Sequence, residues 1–104
     1  MQPYKLVRDK IPDLIRASGK NPIIHIATSD EEFKRALCAK LTEEFAEFQR
    51  NPSAEEMVDV LEVLISFANL KDISGEEIEE ALREKAGARG TFDERIILEK
   101  IEDR

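Results

Sequence analysis

Two short phrases, EFAE at residues 44–47 and EMVD at residues 56–59, set Glu44 with Glu47 and Glu56 with Asp59 in stretches otherwise rich in Leu, Val, Ile and Phe. Residues three apart on a helix lie on one side of it, so each phrase offers a pair of carboxylates. Four converging carboxylates are hard oxygen donors. They suit Mg²⁺ or Mn²⁺, ions that prefer near-octahedral oxygen coordination and keep positions open for water or phosphate oxygens.

The elements that carry these acids follow from periodicity. Phe33, Leu37, Leu41, Glu44 and Phe48 recur at intervals of four, four, three and four, which predicts an amphipathic helix from Ser29 to just before Asn51-Pro52. At about 100° per residue the four apolar side chains fall within about 80°, and Glu44 falls among them. Glu47 lies about 60° to one side of Glu44, whereas Glu43 lies about 100° away and is expected to face solvent. A charge directed into an apolar face costs several kcal/mol unless a cation, a metal or a proton compensates it, so Glu44 is the anomalous acid of the set.

Ser53 is expected to start a second helix that runs to about Leu70, with Met57, Leu61, Leu64, Ile65 and Ala68 as its main apolar face. Glu56 and Asp59 lie off that face, with Val63 and Leu70 between them in azimuth. The helix is therefore apolar over most of its circumference, which predicts burial on two sides. In a short chain a second copy meets that need most simply. The short loop makes the two helices antiparallel and brings both acidic pairs to one end. Glu56 also has a structural alternative, because Ser53-x-x-Glu56 matches a capping box, as do Ser29-x-x-Glu32 and Ser74-x-x-Glu77.

Elsewhere, residues 5–11 are expected to be extended up to Pro12, which starts a short helix ending near Gly19, and residues 23–27 read as a short strand. Ser74 starts a third helix to about Ala86, and DERIILEKIE reads as a terminal helix. The expected fold is mainly α: one domain over residues 1–104, with a helical hairpin completing a four-helix-bundle-like core through dimerisation and short extended N-terminal segments.

Composition narrows the partners. A net charge of -7 and a pI near 4.8 argue against sequence-independent binding to nucleic acid or an anionic membrane. No uncharged apolar run approaches the roughly 18 residues that span a bilayer, and the opening residues lack the apolar core of a secretory signal, so a cytoplasmic location is expected. Cys38, the one cysteine, is expected to pack in its helix, and His25 has no second His or Cys at ligand spacing.

KLTEEFAEF, a short loop and EEMVDVLEVL together resemble the paired ExxE and ExxD signature of the all-α nucleoside triphosphate pyrophosphohydrolases, the superfamily of MazG-like enzymes and phosphoribosyl-ATP pyrophosphohydrolase. YKLVRDKIP is similar to the opening of small single-domain members, and KAGARGTFDERIILE resembles their basic RGGF segment, with Thr91 in place of the second glycine. The gap between the acidic pairs is short for the superfamily at large but similar to that of these small members. The resemblance implies hydrolysis of a nucleoside triphosphate-like substrate to monophosphate and pyrophosphate, with nucleotide-pool cleansing as a role. It implies Mg²⁺, or Mn²⁺, held by Glu44, Glu47, Glu56 and Asp59, and a water activated by Glu47.

It also places Lys5, Arg8, Lys10, Lys85, Arg89 and Arg95 near phosphate oxygens, with Tyr4, Phe67 and Phe92 as candidates for stacking on the base. Bland roles stand beside these. Lys85 and Arg89 lie near a helix C-terminus, where cations are favourable, and Arg8 adjoins Asp9. Arg89-Gly90 stands out because glycine permits close backbone approach to a phosphate. The alternative function is a non-catalytic helical interaction module or a nucleotide-binding regulatory protein.

Overall fold

The computed structural model describes residues 5–103 and is all-helical, with four helices and no strand among those residues: α1 (Ile11–Ala17), α2 (Asp30–Arg50), α3 (Ala54–Leu70) and α4 (Gly75–Arg89). The chain falls into two units, Met1–Asp72 and Ile73–Arg104.

In the first unit the serines act as anticipated. Ser29 and Ser53 are extended residues whose hydroxyls accept from the backbone N–H groups of Glu32 and Glu56, so each satisfies a donor that the first helical turn leaves unpaired. Between the helices Asn51 leaves the helical region while its N–H still reaches the Glu47 carbonyl, and Pro52 prevents continuation. The result is an α2–α3 hairpin, the one helix pair with extensive packing among the described residues. Leu37 on α2 and Val63 and Ala68 on α3 are buried, while Phe33, Leu41 and Phe48 are half-buried on the predicted stripe of α2.

α3 packs through an arc different from the expected one. Its less exposed residues are Glu56, Asp59, Val60, Val63, Ser66, Phe67, Ala68 and Leu70, so that of the expected face Ala68 is buried, whereas Met57, Leu61, Leu64 and Ile65 remain 41–49% exposed. A helix that is apolar nearly all round does not encode in its periodicity which arc meets its neighbour. The consequence is chemical: the arc that carries Glu56 and Asp59 is among the sheltered ones.

α1 starts one residue before Pro12 and is followed by Gly19 at φ 90, a conformation suited to glycine. Residues 5–10 precede it without regular structure, with Leu6 and Val7 half-buried. Residues 23–27 form no strand. Ile23, Ile24 and Ile26 are all exposed, and a strand needs a hydrogen-bonded neighbour that nothing described here supplies.

In the second unit, Ser74 opens α4 with a complete capping box. The helix runs three residues beyond the predicted end, to Arg89, and Gly90 ends it at φ 81. DERIILEKIE is not helical, and Ile96, Ile97, Leu98 and Ile101 are exposed. Its adjacent Ile96-Ile97-Leu98 run presents no single apolar stripe, and helix this short is marginal without packing.

Candidate metal centre

The acid cluster assembles where α2 ends and α3 begins. Glu44, Glu56 and Asp59, all half-buried, each bring a carboxylate oxygen to within 4.8 Å of the other two. Two ligands on opposite sides of Mg²⁺ are about 4 Å apart, so the triad fits such an ion with small side-chain adjustments, and its all-oxygen donor set matches the ion's preference. Glu47 stands outside the triad. Its carboxylate accepts from Arg50, one turn on, although it is near enough to add negative potential at Glu56.

Glu56 shows the electrostatic character of the site. Its carboxyl pKa is raised, first by loss of water around it and then by the like charges of Asp59, Glu47, Glu44 and Glu55. The Ser53 hydroxyl accepts from the Glu56 N–H at 3.2 Å, yet no reciprocal bond from the Glu56 carboxylate completes the box. Of its two readings, the cap is half made, and the carboxylate joins the other acids.

Cations answer the remaining charge. Glu44, the acid that interrupts the α2 stripe, has a side chain only 14% exposed, and the Lys40 ammonium, 17% exposed, sits 3.2 Å from it. Lys40 also reaches Glu43 at 3.3 Å, and Lys5 reaches Glu43 at 3.1 Å, so Glu43 is paired and not simply solvated; these bonds lower its pKa. Arg8 turns to Asp59 and not to its neighbour Asp9. Its Nη2 donates to Asp59 Oδ1 at 2.7 Å, and its Nη1 lies 4.0 Å from Glu62. Lys40 and Glu62 are the participants that motif reading passes over, although their spacings to Glu44 and Asp59 (i,i+4 and i,i+3) are the ones that place side chains together on a helix.

The other candidates are dispersed. Lys10 is exposed at the start of α1, which it caps without a side-chain bond. Lys85, Arg89 and Arg95 belong to the second unit and are all exposed there, with Arg95 at φ 60. A Cβ added at Gly90 would meet nothing within 4 Å, so this glycine answers to its backbone angle and not to a close neighbour. Phe67 is half-buried on α3, Phe92 is exposed, and Tyr4 lies outside the described residues. Cys38 is within α2 as expected, but on its exposed side. His25 bonds Glu32 at 2.7 Å, which places it in a local tie and not in the acid cluster.

The fold and site thus define an all-helical protein with an acidic, partly sheltered cluster at one end of a helical hairpin, and none of its described helices is long and apolar enough to cross a membrane. Among curated proteins it is similar to an uncharacterized protein of Mycolicibacterium smegmatis, 58% identical over 45 residues, which span 43% of this chain and 45% of that protein. No protein-family model matches the chain, and no solved structure matches it.

Proposed function

We propose that the chain is a Mg²⁺-dependent nucleoside triphosphate pyrophosphohydrolase of the MazG-like kind, releasing pyrophosphate and a nucleoside monophosphate. The observation that carries this reading is the meeting of Glu44, Glu56 and Asp59 within 4.8 Å, with the Glu56 carboxylate left out of its own helix cap. A bound Mg²⁺ would supply charge neutralisation for the triphosphate and for the departing pyrophosphate. Glu44, Glu56 and Asp59 would hold it. Glu47, at the margin of the triad, would orient and deprotonate the attacking water, with Arg50 holding the carboxylate in place. Lys5 and Lys10, in the same unit as the cluster, would meet phosphate oxygens.

The same reading includes a second copy of the chain. Met57, Leu61, Leu64 and Ile65 on α3 and Phe45 on α2 leave an apolar surface on the hairpin, with a groove lined by Leu41, Phe45, Ala46 and Leu64. Pairing two such surfaces would complete a four-helix core and supply the second side of burial that α3 calls for. A helical interaction module draws on the same surface, and for that reading the acids would be only a solvated, ion-paired end.

A pyrophosphate-release screen over ordinary, deoxy and oxidised nucleoside triphosphates and phosphoribosyl-ATP, with Mg²⁺ and with chelator, separates the two. Metal-dependent release that Glu44→Gln abolishes, with helicity retained, is the expected result. No release from any substrate would leave the interaction module as the better account.

A further inference from the structure

Arg8 does not wait in open solvent for a substrate. It donates from Nη2 to Asp59 Oδ1 at 2.7 Å, so one oxygen of a proposed metal ligand is already committed to a cation supplied by the chain itself. The segment carrying Arg8 is tied at a second point, through Lys5 to Glu43 on α2, and Leu6 and Val7 between them are half-buried. Residues 5–8 therefore lie along the hairpin as a strap with two ionic fastenings, one of them on the acid cluster.

We propose that Arg8 is a built-in counter-cation that exchanges with the divalent ion at Asp59, moving to Glu62 when the ion binds. The proposal rests on the metal-site reading above. A guanidinium and a divalent ion on one carboxylate oxygen would be about 5 Å apart, where their repulsion is appreciable in a partly sheltered site. The bond that must break is weak enough to exchange, because Arg8 is 54% and Asp59 36% exposed, and ion pairs of that exposure stabilise little. Glu62 gives Arg8 a second acceptor one helical turn along α3, already within 4.0 Å of Nη1. Without Arg8, the acids would face one another with Lys40 as the remaining close cation on the triad, so the exchange also explains how Glu44, Glu56 and Asp59 stay together when no ion is bound.

The test is metal affinity, not turnover. Mn²⁺ titration by calorimetry or paramagnetic relaxation of the full chain and of Arg8→Gln should show the variant binding roughly two- to five-fold tighter, the gain expected when an exposed competing pair is removed. Glu62→Gln should bind Mn²⁺ more weakly than the unaltered chain, because the displaced guanidinium loses its acceptor. In the unaltered chain, Mg²⁺ should speed amide exchange over residues 6–10. Equal or weaker Mn²⁺ binding by Arg8→Gln, or slower exchange over residues 6–10 with Mg²⁺, would mean that Arg8 stays beside the bound ion, which overturns the exchange and leaves the metal site standing. Absence of Mn²⁺ binding in both the unaltered chain and Arg8→Gln overturns the metal site and the exchange together.

Discussion

Glu56 at the start of α3 and Glu77 at the start of α4 occupy the same position of the same Ser-x-x-Glu pattern, and their carboxylates do opposite things. Glu77 closes its box: the Ser74 N–H donates to its Oε1 at 2.9 Å while its own N–H donates to the Ser74 hydroxyl at 3.1 Å, and the bonds lower its pKa. Glu56 keeps only the Ser53 half of the arrangement, and its pKa is raised. The third instance, Glu32 at the start of α2, follows yet another course. Its carboxylate accepts from the Thr28 N–H and hydroxyl and bonds His25, and its pKa falls to about 2. Local pattern thus places a carboxylate near a helix start. What stands across from that start decides whether the carboxylate ties the backbone or joins a site.

The largest consequence should be functional. Glu56→Gln is expected to lower metal-dependent pyrophosphate release by about two orders of magnitude, because it removes a charged oxygen donor while keeping the side chain's size, whereas Glu77→Gln should leave the rate within about two-fold. Steady-state rates over a Mg²⁺ series check this. If both substitutions reduced release equally, the difference in cap geometry would carry no functional meaning.

That contrast marks what could be read from the residues. Ser29, Ser53 and Ser74 announced three helix starts, because an N-cap hydroxyl acts on a backbone group only two or three residues away. The position of Glu44 within the α2 stripe was legible for the same reason: a helix repeats its geometry faithfully over five turns. The docking arc of α3 was not legible, because Leu61, Leu64 and Ile65 are as apolar as Val63, and the choice between them belongs to α2. Nor was the tie between Arg8 and Asp59, 51 residues apart, which no local rule reaches. The divalent-ion chemistry follows from the paired carboxylates, whereas the hydrolytic reaction proposed for the site comes from the resemblance and not from spacing.

A smaller effect should separate the serines. Ser74→Ala and Ser53→Ala each remove one hydroxyl acceptor, at a cost of about 1 kcal/mol, read as roughly five-fold faster exchange of the first-turn amides. Only Ser53→Ala should also weaken Mn²⁺ binding, by loosening the first turn that carries Glu56. Equal metal affinity in the two variants would show that the site does not depend on how α3 begins.

The finest distinction is the sign of the pH dependence. Glu77 titrates below its ordinary value of 4.5 in the folded chain, so its contribution to stability is present above pH 4.5 and fades as the pH falls through its folded pKa. Glu56 titrates above 4.5, so folding favours its protonated form: the contribution of this one residue is present below pH 4.5 and is lost as the pH rises through its folded pKa. At pH 7, therefore, Glu56→Gln should stabilise the chain slightly and Glu77→Gln should destabilise it, both read from denaturant midpoints. Carboxyl NMR titration adds the ligand's part. Mg²⁺ favours the ionised carboxylate and should bring the Glu56 midpoint down, while that of Glu77 stays where it is. A Glu56 midpoint indifferent to Mg²⁺ would remove this carboxylate from the proposed metal site and leave it as a crowded acid beside an incomplete cap.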